Sequence, residues 1–261
     1  MIVINSKTND KALSQAAKSL QAARKAAALT GAGISVGSGI PDFRSPGGLW
    51  SVYAPDEYAT LDVFYQNPQK AWQLYRALGN VLLGKSANPA HAALAELERI
   101  EILRGVVTQN VDNLHQQAGN QVVFEIHGDH QHLQCLQCGE LLPVREEHYR
   151  LEDMARCSQC AYPLKPNVVL FGEAVRSIDE IDEFISDCDL LLVVGTSAQV
   201  YPAAGLPMTV KRNGGQVFEF NQEQTLGRDP FSGMGTITDY FFQGDVVEML
   251  PLLTRVVSSL S

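Results

Sequence analysis

The sequence predicts an α/β fold in which a doubly wound parallel sheet carries a smaller domain formed by two inserts. Apolar runs that stop at turns rich in Gly, Asn or Ser recur along the chain, and helical patterns lie between them. This alternation of strand, turn and helix favours a doubly wound sheet. Two stretches without the alternation predict the inserts.

The apolar runs are predicted to be strands. Several are apolar at every position, which is typical of strands covered on both faces of a parallel sheet. The runs are residues 26–30, 102–108, 122–126, 167–171, 189–195, 216–220 and 239–242. Amphipathic patterns predict helices, the second of them with Asn88 as its N-cap, over residues 11–24, 89–99, 178–187 and 203–213.

The two inserts interrupt a main domain that is predicted to comprise residues 1–46, 88–127 and 166–261. Residues 47–87 combine aromatic and helical patterning without an obvious strand, and predict a helical insert. Residues 128–165 contain four of the five cysteines and predict a second insert. Both inserts follow immediately after candidate ligand loops.

The four clustered cysteines are predicted zinc ligands. Cys135-x-x-Cys138 and Cys157-x-x-Cys160 are separated by 18 residues, a spacing typical of a zinc ribbon. Four thiolates complete a tetrahedral site, so the zinc is predicted to be structural. Buried cysteines without a metal would not explain two such pairs.

The fifth cysteine and the nearby histidines are not predicted to bind the metal. Cys188 is predicted to be a small apolar residue before a strand, and three histidines are predicted to lie on the surface: His130, His132 and His148.

The composition is that of an acidic globular protein. Because 20 Lys and Arg face 29 Asp and Glu, the net charge is −9, and duplex DNA or an anionic membrane would bind against the overall field. No apolar run approaches the ~20 residues of a membrane span, and the N-terminus lacks the apolar region of a secretory signal. We expect a cytoplasmic protein with reduced cysteines, without membrane attachment or direct nucleic-acid binding. No signal points to a particular oligomeric state.

Residues 31–46 read GAGISVGSGIPDFRSP and form a glycine-rich loop after a predicted strand. Gly31 and Gly33 are expected to let backbone N–H groups approach a pyrophosphate at the start of the following helix. Val36 stands where the ordinary dinucleotide fingerprint has its third glycine, so the glycines alone indicate only a nucleotide.

The second half of this loop carries Asp42, Phe43 and Arg44 after Pro41. Arg44 suits a phosphate, and Phe43 suits the cover of a reactive ring. The alternative is an ordinary polar loop with one anchoring aromatic.

Polar residues also follow other predicted strands. Gln109, Asn110 and Asp112 follow one strand and His127 ends the next, while residues 195–197 and Asn221 end two more. Open α/β sheets bind ligands at the carboxyl ends of their strands, so these groups are predicted to meet in one crevice.

Together these motifs resemble the sirtuin, or Sir2, family of NAD-dependent protein deacylases. The resemblance runs from about residue 26 to residue 245 and includes GAGIS, IPDFRS, ANPAH, TQNVDNLH, the paired C-x-x-C, KPNVVLFGE, GTS, YPAA and FN. It implies a Rossmann-like domain that uses a longer glycine loop, with the zinc ribbon and the helical insert forming the smaller domain. It also implies NAD as co-substrate, structural Zn²⁺, and acylated-lysine proteins as partners.

The resemblance assigns roles to individual residues. His127 would be the base that activates a ribose hydroxyl, which its ordinary pKa of ~6.5 allows, and Asn110 would orient a water. The cofactor would contact Gly31, Ala32, Gly33, Asp42, Phe43, Arg44, Gln109, Asn110, Val111, Asp112, Gly195, Thr196, Ser197, Asn221, Gln222, Glu223 and Val246. Residues 168–173 would pair with the substrate peptide as an added strand, and the substrate would contact Tyr75, Val169, Phe171, Gly172 and Glu173.

The choice of acyl group is predicted from a departure within the helical insert. Sirtuins that prefer succinyl or malonyl lysine carry Tyr-x-x-Arg there, whereas here Leu78 follows Tyr75 at that spacing. Arg76 would point about 100° away from Tyr75 on a helix. The sequence therefore predicts a neutral acyl group, acetyl first, with Leu78 also suited to longer apolar chains.

Three other functions are compatible with parts of the pattern. A protein ADP-ribosyltransferase or NAD hydrolase would use the same scaffold. A non-catalytic NAD sensor would need neither His127 nor Asn110. A zinc-ribbon nucleic-acid binder is disfavoured because residues 128–165 are not strongly basic and lack RNA-stacking aromatics.

Overall fold

A computed structural model describes residues 1–5, 10–42, 48–150, 152–227 and 236–260. Its strands, in chain order, are β1 Ile2–Ile4, β2 Ala26–Thr30, β3 Leu103–Thr108, β4 Val123–Glu125, β5 Gly128–Cys135, β6 Leu141–Pro143, β7 Leu164–Val168, β8 Leu190–Val194, β9 Gln216–Asn221 and β10 Tyr240–Gln243. Seven of them form a parallel sheet in the order β1-β10-β9-β8-β2-β3-β4. The remaining three form a small antiparallel sheet in the order β6-β5-β7.

Helices connect the parallel strands and make up the helical insert. They are α1 Asp10–Ala22, α2 Leu49–Val52, α3 Pro55–Tyr58, α4 Leu61–Gln66, α5 Pro68–Leu82, α6 Pro89–Arg99, α7 Leu114–Ala118, α8 Glu146–Arg150, α9 Ile178–Ser186, α10 Leu206–Arg212 and α11 Val246–Leu260, with 3-10 helices at Ala32–Ser38 and Ala203–Gly205. Among the described residues, no helix is long and apolar enough to cross a membrane.

The large sheet is covered on both faces, which explains its continuously apolar strands. Ala26 and Ala28 of β2 face one core with α1, α6 and α11, and Ala27 and Leu29 face the other with α9 and α10. All four side chains are fully buried. The prediction of a doubly wound sheet is therefore confirmed.

Six of the seven predicted strands belong to this sheet, and the seventh does not. Residues 167–171 are predicted as a strand of the parallel sheet, but β7 covers Leu164–Val168 and pairs with β5 of the small sheet. Beyond Val168 the backbone turns to other partners: Val169 N–H donates to the His127 carbonyl, and Phe171 N–H donates to the Ala59 carbonyl.

Two elements carry no clear pattern in the sequence. The edge strand β1 has only three residues, two of them exposed, so it shows no periodicity. Helix α11 contains Pro251, a residue that usually ends a helical pattern because it lacks an N–H group.

The smaller domain has one core to which both inserts contribute. Trp72 of α5 is fully buried and donates its indole N–H to the Leu164 carbonyl of β7 at 2.8 Å. Leu133, Tyr149 and Cys157 of the cysteine-containing insert pack in the same cluster. This shared core joins the helical insert to the small sheet.

Candidate active site

A cavity of about 560 Å³ lies between the carboxyl ends of the large sheet and the smaller domain. Its polar wall comes from loops after the parallel strands: Gly31, Ala32, Gly33, Asp42, Gln109, Asn110, Val111, His127, Gly195, Thr196, Ser197, Asn221 and Thr225. Its opposite wall is mainly apolar and includes Trp50, Ala59, Leu74, Tyr75, Leu78, Val168, Val169, Leu170, Phe171, Gly172 and Glu173.

The topology of the sheet explains why the polar residues meet. Strands β9, β8, β2, β3 and β4 are consecutive neighbours, and each is followed or ended by a residue of the polar wall. Because the strands are parallel, their carboxyl ends lie at one edge. The predicted convergence of the strand ends is confirmed.

The glycine loop packs against the loop after β8. Gly31 N–H donates to the Val194 carbonyl at 3.1 Å, and Gly33 N–H donates to the Gly195 carbonyl at 2.8 Å. These two N–H groups are therefore used between the loops, so any backbone N–H that approaches a pyrophosphate here must come from other residues of the glycine loop. A Cβ on Gly33 would come within 2.7 Å of Gly195 Cα, so the close approach of the two loops requires glycine at this position.

Gln109 and Asn221 are held in place through Thr196. The Gln109 side-chain amide donates to Thr196 Oγ1 at 2.9 Å, and the Asn221 side-chain amide donates to the Thr196 carbonyl at 3.0 Å. Thr225 donates to the same carbonyl at 3.0 Å. One buried threonine thus fixes three side chains, one from the loop after β3 and two from the end of β9 and the loop after it.

Asn110 is fixed by a hydrogen-bond network beneath the glycine loop. Its side-chain amide donates to the Gly31 carbonyl at 3.2 Å and to Ser35 Oγ at 3.0 Å. Ser35 in turn donates to Asp112 Oδ2 at 2.6 Å. Asp112 lies behind the cavity wall, where its other oxygen accepts the N–H of Leu114.

His127 lies in the cavity with one ring nitrogen in use. Its Nδ1 is 3.0 Å from the Gln109 carbonyl, and because a carbonyl only accepts, Nδ1 carries the proton. Burial lowers the pKa of His127 from its ordinary value, and the hydrogen bond to Gln109 counteracts part of this effect. The neutral imidazole therefore presents an unprotonated Nε2 that can accept a proton near pH 7.

Some residues assigned by resemblance lie away from the cavity wall. Gln222 and Glu223 are exposed, and Val246 is buried in the core at the start of α11. Phe43 and Arg44 lie outside the described residues. Conversely, Thr225, Val200 and Tyr201 line the cavity without being predicted, although YPAA and FN mark their neighbourhood in the sequence.

Three polar residues beneath the site are also absent from the sequence prediction: Thr30, His91 and His115. They lie within apolar segments or on helices, where an isolated polar residue gives no signal of its environment. His91 Nδ1 accepts the N–H of Asn88, which confirms Asn88 as the N-cap and completes a capping box.

Tyr75 and Arg76 lie on different sides of α5. Tyr75 lines the cavity and is fully buried, and its hydroxyl has no hydrogen-bond partner in the described part of the chain. Arg76 instead donates to the carbonyls of Glu152 and Asp153 and lies over the Trp72 ring. The prediction that Arg76 points away from Tyr75 is confirmed.

The four predicted zinc ligands meet in space. Their Sγ atoms lie within 4.8 Å of one another, and the Cys135–Cys160 and Cys138–Cys157 pairs are 3.5 Å apart. A disulfide requires ~2.05 Å, whereas thiolates ~2.3 Å from a tetrahedral zinc are ~3.8 Å apart. The residues therefore fit a zinc ion, with two matching turns closed by the bonds Gly139 N–H to Cys135 carbonyl and Ala161 N–H to Cys157 carbonyl.

The surface assignment of His130 is wrong. Its side chain is 5% exposed, stacks on the Tyr149 ring at 5.2 Å and hydrogen-bonds the Tyr149 hydroxyl at 2.8 Å. His132 is partly exposed and pairs with Asp129. The sequence places both histidines near cysteines and gives no sign of the tyrosine that covers one of them.

Acid is expected to destabilise the fold through three buried histidines. Burial lowers the pKa of His91 to about 4, of His115 to about 3 and of His130 to about 4. The unfolded chain binds these protons near pH ~6.5, so it gains protons before the folded state does, and stability falls as the pH drops. The Tm should therefore decrease between about pH 6.5 and pH 5.

Calorimetry on the zinc-loaded protein measures this effect. Zinc content determined at each pH separates it from acid release of the metal. A Tm that stays constant over this range while zinc is retained would contradict the burial of neutral histidines.

Known proteins are similar to this chain in sequence over nearly its whole length. The profile of the Sir2 family matches residues 31–202. An NAD-dependent protein deacylase of Thermococcus kodakarensis is 41% identical over 255 residues, which cover 95% of this chain and 96% of that protein.

Two solved structures are similar over a comparable length. A Sir2 homolog–NAD complex has a TM-score of 0.84 and 35% identity, covering 98% of this chain and 96% of that one. Sir2Af2 bound to a myristoylated histone peptide has a TM-score of 0.78 and 36% identity, covering 97% of this chain and 98% of that one.

Proposed function

The chain belongs to the Sir2 family, and on this premise we propose that it is an NAD-dependent protein-lysine deacylase that releases nicotinamide and O-acyl-ADP-ribose. The observation that carries the proposal is His127, whose free Nε2 faces a cavity with a polar wall on one side and an apolar wall on the other. One wall suits a nucleotide and the other an acyl chain.

His127 is the general base of the proposed reaction. Its Nδ1–H stays on the Gln109 carbonyl, so the ring orientation is fixed while Nε2 takes the proton of a ribose hydroxyl. Asn110, held by Ser35 and the Gly31 carbonyl, orients a water or a ribose hydroxyl beside it. A pure NAD sensor would need neither arrangement.

The polar wall fits NAD, which supplies the ADP-ribose that accepts the acyl group. Gly31, Ala32, Gly33 and Asp42 line the part of the polar wall that would hold the nucleotide, together with residues 195–197 and Asn221. We assign Phe43, Arg44, Asp112, Gln222, Glu223 and Val246 to the same site from family membership. The four cysteines would hold a zinc ion that stabilises the smaller domain and takes no part in the chemistry.

The substrate peptide is assigned to the segment 168–173. Phe171 is 49% exposed beside the cavity, and Thr60 and Phe171 form a parallel bridge that anchors the segment to the helical insert. An extended peptide can pair with such a segment as an added strand. We assign the main domain, the helical insert and the zinc insert the boundaries predicted from the sequence, and a cytoplasmic location, since unpaired thiolates suit a reducing compartment.

The cavity favours neutral acyl groups. The described lining residues include the carboxylates Asp42 and Glu173 but no Lys or Arg, so the carboxylate of a succinyl group would be buried without a cationic partner. We expect kcat/KM for an acetyl-lysine peptide to exceed that for the succinyl-lysine peptide by at least ~100-fold.

A panel of acetyl-, butyryl-, myristoyl- and succinyl-lysine peptides, assayed with and without NAD, tests both the function and the acyl preference. Arg76→Ala is the matched control, because Arg76 faces away from the cavity and its loss should leave the acetyl-to-succinyl ratio unchanged. Succinyl turnover equal to acetyl turnover would contradict the neutral cavity. Nicotinamide release without peptide deacylation, or ADP-ribose transferred to protein, would favour the hydrolase or transferase function.

A further inference from the structure

Lys165 is a buried cation beside the active site whose role the proposed reaction leaves open. Its side chain is 1% exposed, although lysine is rarely buried, and it lies on β7 next to the peptide-docking segment, residues 168–173. Lys165 does not line the cavity, so it cannot contact the acyl chain or NAD directly.

All three protons of the Lys165 ammonium have acceptors. Nζ donates to the Val168 carbonyl at 2.6 Å and to the Pro166 carbonyl at 3.3 Å, and it forms an ion pair with Glu173 Oε2 at 3.1 Å. Burial lowers the pKa of Lys165, and the Glu173 carboxylate counteracts part of this effect. Lys165 thus contacts both the first residue of the docking segment, Val168, and its last, Glu173.

Glu173 closes the same arrangement from the other end. Its Oε2 accepts the Leu170 N–H at 2.7 Å, and its own N–H donates to the Leu170 carbonyl at 2.9 Å. The two side chains of the ion pair therefore fix the carbonyl of Val168 and the N–H of Leu170, while the Glu173 backbone holds the Leu170 carbonyl. Val169 and Phe171, which alternate with these residues, are the two apolar positions of the segment that the resemblance to sirtuins assigns to substrate contact.

Stability alone does not explain a buried ion pair. Removing two charges from water is costly, and apolar residues of similar volume often stabilise a core as well or better. A buried pair is better suited to holding one backbone conformation among several, since its hydrogen bonds are directional.

We propose that Lys165 is a positioning residue that, through Glu173, holds the backbone of residues 168–173 in the conformation that binds the substrate peptide. The proposal rests on the deacylase function argued above and adds a residue that acts on peptide binding without touching either substrate.

The test compares Lys165→Met with the double variant Lys165→Met/Glu173→Gln. We expect Lys165→Met to raise the KM of an acetyl-lysine peptide by about 10-fold and to leave the KM of NAD within about twofold, because the polar wall belongs to other loops. It should also lower the Tm, since Glu173 remains as an unpaired, largely buried carboxylate.

The double variant separates positioning from stability. The glutamine side chain that replaces Glu173 is neutral and can still accept the Leu170 N–H, so the Tm should recover toward that of the wild type. The hold on the Val168 carbonyl is still lost, so the peptide KM should stay raised. If the peptide KM recovers together with the Tm, Lys165 only stabilises the fold and the proposal is wrong. Should Lys165→Met not fold, the double variant is compared with Glu173→Gln alone, which keeps the Lys165 hydrogen bond to the Val168 carbonyl; an equal peptide KM in the two would refute the positioning role.

Lys70→Met is the matched control, because Lys70 forms a pair of the same length, 3.1 Å, with Glu57 on the exposed surface of the helical insert. It should change neither the KM of the peptide nor the KM of NAD.

Fluorescence anisotropy with a labelled acetyl-lysine peptide measures peptide binding independently of turnover. A wild-type protein that turns over the peptide while Lys165→Met binds it equally well refutes the positioning role alone. A wild-type protein that neither binds nor deacylates the peptide refutes the proposed function, and the positioning role with it.

Discussion

Replacement of His127 by Ala is expected to lower kcat for deacylation by about 10²- to 10⁴-fold, the usual contribution of a general base. The imidazole is the only described group of the cavity with a free, neutral nitrogen that can accept a proton near pH 7. The Tm should change little, because His127 makes one side-chain hydrogen bond, to the Gln109 carbonyl. Steady-state kinetics with an acetyl-lysine peptide and calorimetry measure the two quantities.

The control for this variant is His148→Ala. His148 lies on α8 of the smaller domain and does not line the cavity, so its loss should leave kcat unchanged. Near-normal turnover by His127→Ala would exclude His127 as the base. A loss of activity in both variants would point to disturbance of the fold instead.

Replacement of Cys135 by Ala is expected to abolish zinc binding and to destabilise the smaller domain by several kcal/mol or more, because structural zinc contributes about 10–16 kcal/mol to the folding of zinc-finger peptides. Cys135 and Cys157 are buried in the core that also contains Trp72, so loss of the metal exposes the core that joins both inserts. Elemental analysis for zinc and calorimetry are the appropriate measurements.

Cys188→Ala provides the comparison for a cysteine without a metal. Cys188 is 2% exposed, packs in a different core beneath the large sheet and donates to the Phe184 carbonyl. This variant should keep its zinc and lose only the small stability of a truncated core residue. An unchanged zinc content in Cys135→Ala would rule out the four-thiolate site.

The large sheet is predictable because its signal is repeated. Each long strand has its own apolar run, and residues 26–29 are apolar at every position because successive side chains face different cores. The zinc site is predictable for a similar reason: two C-x-x-C pairs each define one half of a tetrahedron. In both cases a pattern within a few consecutive residues is enough to predict the local structure, a strand or half of a metal site.

The features that the sequence does not predict depend on contacts between residues far apart in the chain. The glycine loop is predictable as a nucleotide loop, but the sequence does not show that the N–H groups of Gly31 and Gly33 bond to the carbonyls of residues 194 and 195, far along the chain. His130 resembles a surface residue beside the cysteines, yet Tyr149 covers it. Neither partner can be identified from local composition.

The docking segment combines both situations. KPNVVLFGE is recognisable as a motif, and its apolar stretch suggests a strand of the large sheet. Instead, Lys165 and Glu173 at the two ends of the motif form an ion pair, and the strand joins the small sheet. The spacing of Lys165 and Glu173 does not predict their ion pair, because an ion pair across a loop has no characteristic periodicity.

Transfer of the acyl group from a modified lysine to the ADP-ribose of NAD can be measured through the stoichiometry of the products. Purified protein is incubated with NAD and an acetyl-lysine peptide, and mass spectrometry quantifies deacetylated peptide, nicotinamide and O-acetyl-ADP-ribose. We expect all three in equal amounts and none without NAD. Deacetylated peptide formed without NAD, or nicotinamide released in excess while free ADP-ribose accumulates, would contradict the account.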